Sequence, residues 1–429
     1  MNTIRRVAIV GGNRIPFARS NTAYAQSSNQ DMLTAALQGL VDRFDLHGLR
    51  MGEVAAGAVM KHARDFNLVR ESVLSTTLSR ETPAYDLQQA CGTGLEATIL
   101  VANKIALGQI DCAIAGGVDT TSDAPIGLNE RLRKILLELN RAKSVGKRVA
   151  AASRLRPGMF FKPALPRNAE PRTGLSMGEH AELMAQEWGI TQAQQDALAL
   201  RSHQQLAQAY EQGFFTDLMT PFQGLKRDNN LRPDLTMERL SSLRPVFDRQ
   251  VAPGAGTLTA GNSTPLTDGA STVLLATDEW AAAHHVPVLA YLTWCEVAAV
   301  DFLDRREGLL MAPAYAVPRM LARAGLCLQD FDYYEIHEAF AAQVLCTLKA
   351  WEDATYCRER LGLDQPLGSI DPQRLNVLGS SLATGHPFAA TGARIVASLA
   401  KLLAQRGHGR GLISICAAGG QGVVAILER

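Results

Sequence analysis

The sequence predicts an α/β protein made of two similar halves with a helical insertion between them. Three observations lead to that reading. Short apolar runs alternate with longer helical runs in the first and last thirds of the chain, which implies a largely parallel sheet covered by helices on both faces. The two ends repeat one order of parts: CGTGLEATILVANKIALGQIDCAIAGG and GHPFAATGARIVASLAKLLAQRGHGRGLISICAAGG each read as Gly-rich turn, long helix, short apolar strand and Gly-Gly. Residues 121–270 lack this alternation and hold a basic stretch, the turn-rich RPGMFFKPALPRNAEPRTG and a long helical pattern. A structureless loop of that length is rare in a compact domain, so the segment is expected to carry helices of its own and to cover a site. The expected division is 1–120 with 251–270 for the first half, 121–250 for the insertion and 271–429 for the second half.

In chain order, residues 6–10 read as a buried strand ending at Gly11-Gly12, 32–43 as a helix with Leu33, Ala36, Leu37 and Leu40 on one face, and 53–59 as a strand. Residues 95–107 form an apolar helix leading into the buried strand 112–115, closed by Gly116-Gly117. The insertion shows its clearest helical pattern at 192–212. In the last third, 286–292 reads as strand, 314–324 as helix, 333–336 as strand edge and 339–349 as helix. Residues 392–405 follow as helix, with 411–416 and 422–427 as strands.

Composition narrows the function classes. With 429 residues, 47% hydrophobic and 20% charged, the chain has the makings of a globular protein and none of a fibre or coiled coil. The formal net charge of +1 speaks against a dedicated nucleic-acid binder. That total conceals an asymmetry: from Glu130 to Arg172 there are twelve Lys or Arg against three Glu, a local +9, leaving −8 for the other residues. Seven scattered cysteines with no C-x-x-C fit a reducing compartment. The apolar run at 7–10 is too short for a signal segment. Residues 412–427, uncharged but broken by glycines, do not read as a membrane span, so a cytoplasmic location is expected.

Four residues carry chemistry. Cys91, in DLQQACGTGLEA, lies at the start of a helix, where unpaired N–H groups and the helix dipole favour thiolate. Cys416 ends an apolar strand before AAGGQG, a turn whose glycines free backbone N–H groups to stabilise a developing oxyanion. His386, in LATGHPFAATG, is held extended by Pro387 and is placed to take a proton from a thiol. His337, in YYEIHEAFAAQ, stands at a strand-to-helix junction, with Glu338 expected in the helix's first turn. Each also admits a plainer role, as core filler or cap. None of the four shows metal-ligand spacing, although distant turns can still assemble a metal site. VAIVGGNRIPF lacks the third glycine of a dinucleotide fingerprint and places Pro16 where its helix should run.

Taken together, VAIVGGNRIPFAR, QQACGTGLEA, TGLSMGEHAE, AGNSTPLTDGA, HEAFAAQ, GHPFAATG and CAAGGQG resemble the motifs of the thiolase family, essentially end to end. The likeness is strongest to subunits of fatty-acid β-oxidation that work with a hydratase/dehydrogenase partner. It implies a layered α-β-α-β-α core of two duplicated halves and thiolytic cleavage of 3-ketoacyl-CoA, with condensation to acetoacetyl-CoA as the alternative. It implies no permanently bound cofactor and no metal, coenzyme A as co-substrate, and a homodimer or homotetramer. By the same resemblance Cys91 is the acylated nucleophile, His386 its base, and Cys416 the proton donor and acceptor at the acetyl α-carbon. One oxyanion hole would be His386 with a water held by residue 337, the other the N–H groups of Cys91 and Ala418. Ser263 and Thr264 would border coenzyme A, and Met177 the acyl pocket. Most thiolases carry Asn where this chain has His337. The basic helix in NERLRKILLELNRAK is assigned either to CoA phosphates, to a partner or to a membrane surface, with partner docking preferred.

Overall fold

The structure, a computed structural model, describes residues 4–429. The first half comprises β1 (Ala8–Arg14), β2 (Ala18–Arg19), α1 (Asn29–Phe44), β3 (Glu53–Ala56), α2 (Leu68–Leu74), β4 (Ala84–Asp86), α3 (Thr93–Ala106) and β5 (Cys112–Asp119). The insertion carries α4 (Glu130–Arg141), α5 (Val145–Ala152), α6 (Met177–Trp188), α7 (Gln192–Glu211) and α8 (Met237–Ser241). The chain then returns through β6 (Thr267–Ala276) and α9 (Asp278–Ala283). The second half contains β7 (Ala290–Ala299), α10 (Ala312–Ala324), β8 (Tyr333–Ile336), α11 (Ala341–Glu352), α12 (Ala354–Glu359), α13 (Ser381–Thr384), α14 (Thr391–Arg406), β9 (Arg410–Ala417) and β10 (Gln421–Glu428).

Strand pairing displays the duplication. In the first half β3 runs parallel to β5, β5 antiparallel to β6, and β6 antiparallel to β1. In the second half β8 runs parallel to β9, β9 antiparallel to β10, and β10 antiparallel to β7. The parallel neighbour β4 of β3 has its counterpart in a bridge from Tyr334 to Leu375. The two sets meet where Ala8 and Ile9 of β1 pair with Tyr291 and Ala290 of β7.

The side-chain alternation of the strands builds the layers. On β6, Leu274 and Ala276 join the core under α1 and α2, while Val273 and Leu275 face α3 and α14. On the second sheet, Ile413, Ile415, Val423 and Ala425 enter that same middle core, whereas Leu412, Val424 and Ile426 pack with α10 and α11. Two helices, α3 and α14, are thus sandwiched between sheets, giving helix, sheet, helix, sheet, helix in succession.

Several local expectations change. Gly11-Gly12 and Gly116-Gly117 do not close their strands but lie inside β1 and β5. The reason at Gly117 is close approach, because a Cβ there would sit 2.1 Å from the Ala389 carbonyl oxygen. The strand expected at 286–292 begins only at Ala290, past Pro287, which lacks an N–H to pair. β6 was not anticipated; it runs across the 270/271 boundary and is paired wholly within the first sheet. Among the described residues no helix is long and apolar enough to cross a membrane.

The insertion is tied to the core by buried polar contacts. Arg14 at the end of β1 donates Nη1 and Nη2 to the two carboxylate oxygens of Asp228 at 2.6 and 2.8 Å, and the Phe17 N–H and the Tyr210 hydroxyl donate to the same carboxylate at 2.7 Å each. Glu182 of α6 accepts the N–H groups of Thr257 and Leu258.

Candidate active site

Cys91 occupies the turn before α3, whose N-cap is Gly92. Ala90 adopts a left-handed φ of 46°, a strained conformation for a residue with a Cβ. Thr93 holds it there, its hydroxyl donating to the Ala90 carbonyl at 2.7 Å and accepting the Gln89 N–H at 2.8 Å. The backbone N–H groups of Ala418 and of Cys91 itself lie near the Cys91 sulfur and favour thiolate, but burial outweighs them and pushes the thiol up to about 12. Burial thus opposes the thiolate that the helix terminus favours.

His386 stands between α13 and α14 in a loop clamped by the other half of the molecule. Asp119, at the end of β5, accepts the Ala389 N–H at 2.9 Å, and the His386 N–H donates to the Thr267 hydroxyl at 3.2 Å. The His386 ring places Nδ1 2.6 Å from the Thr391 hydroxyl and Nε2 3.1 Å from the Cys91 sulfur. Burial, then the positive charge of Arg394, lowers this imidazole to about 3. Both shifts favour the neutral pair, a thiol facing a bare ring nitrogen.

His337 directly follows β8, with its N–H on the Ser414 carbonyl at 2.8 Å. Its ring lies 4.1 Å from that of His386, Nδ1 is 2.8 Å from the Ser381 hydroxyl, and Nε2 is buried without a partner. One ligand atom from each of Cys91, His337 and His386 lies within 4.8 Å of the others, the one such His, Cys or carboxylate group among the described residues. Metals also favour such a trio; here its members form a hydrogen-bonded pair with a third ring against it. Glu338 is not in the first turn of a helix, since α11 starts at Ala341. It is buried and accepts from the Ser202 hydroxyl, the Asn376 side-chain amide and the Leu382 N–H.

Cys416 is buried at the end of β9, its thiol held well above the ordinary range by burial and by its neighbour Cys91. Ala418 lies two residues further on, in a turn where Gly419 and Gly420 take φ values of 79° and 69°. Met177 opens α6 and packs on the apolar cluster that contains Cys416 and Phe340. Ser263 bridges Phe340 and has a buried hydroxyl without a partner, while Thr264 donates N–H and hydroxyl to the Ala339 carbonyl.

Sequence reading missed four groups around this centre: Asp119, Glu170, Ser381 and Arg394. Glu170, from the insertion, accepts the Gly419 N–H at 2.6 Å and so fastens the turn beyond Ala418. Of the four only Arg394 carried a signal, as a charge within the apolar pattern of GARIVASLAKLL.

Both halves of the chain match models of known families. The thiolase N-terminal domain model matches residues 7–279 and the thiolase C-terminal domain model residues 286–429. The chain belongs to the thiolase family. It is 42% identical over 429 residues to the 3-ketoacyl-CoA thiolase of Yersinia pestis strain Pestoides F, covering 99% of this chain and 97% of that one. Among solved structures, the acetyl-CoA acetyltransferase of Bacillus anthracis superposes with a TM-score of 0.81 at 28% identity, each chain covered fully. Human mitochondrial 3-ketoacyl-CoA thiolase in complex with CoA gives 0.81 at 26% identity, with 99% and 98% coverage. This thiolase is thus an acyltransferase.

Proposed function

We propose that this thiolase cleaves 3-ketoacyl-CoA with CoA, giving acetyl-CoA and an acyl-CoA two carbons shorter, as a step of fatty-acid β-oxidation. The observation that carries the reading is the Cys91 sulfur, 3.1 Å from His386 Nε2, with the N–H groups of Cys91 and Ala418 close by. As the sulfur attacks the 3-keto carbon, its proton passes to His386 Nε2 and the ketone oxygen takes its negative charge beside those two N–H groups. The bond between C2 and C3 then breaks. Its electron pair forms the acetyl-CoA enolate, held by the now protonated His386 and the group at 337, and the Cys416 thiol delivers a proton to C2. Acyl-Cys91 and a Cys416 thiolate remain. That thiolate takes the proton of an incoming CoA thiol, whose sulfur attacks the acyl carbon; Cys91 leaves and recovers its proton from His386.

Coenzyme A serves as co-substrate in this scheme, with no permanently held cofactor. The unpartnered hydroxyl of Ser263 and the neighbouring Thr264 border it, and Met177 borders the acyl chain. The enzyme is assigned to the cytoplasm as a homo-oligomer, with α4 as docking surface for a hydratase/dehydrogenase partner. The similarity to an acetyl-CoA acetyltransferase supports a second reading, condensation of acetyl-CoA to acetoacetyl-CoA. Steady-state thiolysis across 3-ketoacyl-CoA chains of about four to sixteen carbons separates the two: activity confined to the four-carbon substrate supports condensation. Mass spectrometry after mixing with acyl-CoA should find the adduct on the Cys91 peptide, and none in Cys91→Ser. An adduct on another cysteine would remove the mechanism.

A further inference from the structure

The two histidines of the centre have different partners on their inner nitrogens, and that difference fixes where each carries its proton. For His386, accepting the Cys91 S–H at Nε2 requires a lone pair there, so its hydrogen is on Nδ1, 2.6 Å from the Thr391 hydroxyl. For His337 the logic reverses. Its Nδ1 faces the Ser381 hydroxyl at 2.8 Å, and that hydroxyl oxygen also receives Arg394 Nη2 at 3.0 Å. A guanidinium only donates, and among the described residues His337 Nδ1 is the one acceptor within reach of the Ser381 hydroxyl, so the buried Ser381 hydrogen is satisfied only when it is directed at Nδ1. Nδ1 must then be bare and Nε2 must carry N–H.

That Nε2 is buried, has no partner in the protein, and belongs to the ring lying against His386 beside Cys91. Arg394 is itself buried, and burial lowers it only to about 10, so it stays a cation at neutral pH. A buried, unsatisfied N–H is costly unless a ligand atom satisfies it, and the ligand it suits is an oxygen that gains negative charge.

We propose that Arg394 and Ser381 are positioning residues that lock His337 in the Nε2–H form, so that this N–H, and not a held water, donates to the thioester carbonyl oxygen as the enolate forms. The proposal rests on the thiolase mechanism above for the identity of that oxygen. Residues 386 and 337 thereby hold opposite tautomers, one ring a proton acceptor and its neighbour a donor, at a single oxyanion.

Nitrogen NMR of protein labelled at its nine histidines reads the tautomers without any turnover, and His337→Asn identifies the signals of residue 337. The Nε2–H form is expected in the resting enzyme; an Nδ1–H form overturns the proposal even if Ser381 variants fail to fold. Kinetics supply the second arm. Ser381→Ala should lower kcat for thiolysis by roughly tenfold or more with the KM for CoA unchanged, and Ser381→Thr should recover most of it. In the His337→Asn background, where an amide donor needs no relay, Ser381→Ala should cost less than about twofold. Equal losses in both backgrounds would make Ser381 a merely structural residue and overturn the relay. A wild-type enzyme inactive on every 3-ketoacyl-CoA but showing the Nε2–H form would sink the functional reading and leave the tautomer assignment standing.

Discussion

Cys91 and His386 sit at hydrogen-bond distance while burial drives their proton affinities apart, the thiol up to about 12 and the imidazole down to about 3. The sign of each shift decides the pH behaviour. A raised thiol stays protonated below its value and a lowered imidazole stays neutral above its own, so the pair keeps one composition across the whole interval between them. Rapid-mixing acylation by acyl-CoA should accordingly be flat from about pH 5 to about pH 9, where a free thiol would gain about tenfold per pH unit. A limb near about 6.5 would mean that His386 titrates like an exposed imidazole and that the pair is not desolvated. At this scale the members of the candidate site were legible in the sequence, since Cys91, His337, His386 and Cys416 each interrupt a turn or a strand end with a group able to exchange protons. The surroundings that raise the Cys91 thiol were not, because helix-terminus reasoning sees the nearby N–H groups and cannot see the desolvation imposed by the rest of the fold. Ser381 and Asp119 were equally invisible. Ser381 touches His337 across forty-four positions of sequence, and Asp119 reaches Ala389 across two hundred and seventy.

At the scale of elements, the site depends on two helices crossing at glycines. A Cβ on Gly392 of α14 would lie 2.1 Å from the Leu95 nitrogen of α3, and one on Gly94 of α3 would lie 2.6 Å from the Ala389 carbonyl oxygen. Backbone cannot yield as a side chain can. Gly392→Ala should therefore part the N-terminal ends of α3 and α14, lengthen the Cys91–His386 approach, and destabilise the protein by about 1–3 kcal/mol. Chemical denaturation and thiolysis rates check this together; wild-type stability and rate would show that the crossing has slack. The similar wording of CGTGLEA and GHPFAATGA pointed to a duplicated unit, and pairing order bears that out through β3–β5–β6–β1 and β8–β9–β10–β7. What pattern reading misjudged was the meaning of Gly-Gly inside β1 and β5, because a glycine selected for close approach of a neighbouring layer looks the same in sequence as one that ends a strand.

Across the whole molecule, the insertion is fastened on one side and open on the other. Its fastened side includes the Arg14–Asp228 ion pair, whose partners have side chains 4% and 0% exposed. Removing one partner strands the other charge, so Asp228→Ala should cost about 3–5 kcal/mol by thermal or denaturant unfolding, whereas a loss below about 1 kcal/mol would place that pair in contact with water. The open side is α4 with its surroundings. Leu132 and Ile135 are covered, but Leu136 and Leu137 are exposed, as are Phe160 and Phe161 in the same basic stretch. The apolar side chains of α4 are thus only partly covered within the chain. Arg133 and Lys134 face solvent, both paired with Glu130. Apolar side chains left open among twelve cations suit an acidic protein surface, where charge sets the rate of encounter and the apolar contacts hold the complex. Reversing Arg133 and Lys134 to Glu should then spare kcat and the KM for CoA, and weaken capture of a purified hydratase/dehydrogenase subunit by about tenfold or more at low salt, with the difference shrinking as salt screens the exposed charges. Should the double variant raise the KM for CoA with capture intact, the cations serve the CoA phosphates. Loss of binding to anionic vesicles alone would assign the surface to a membrane, and no change in any of the three assays would leave α4 an ordinary solvated helix.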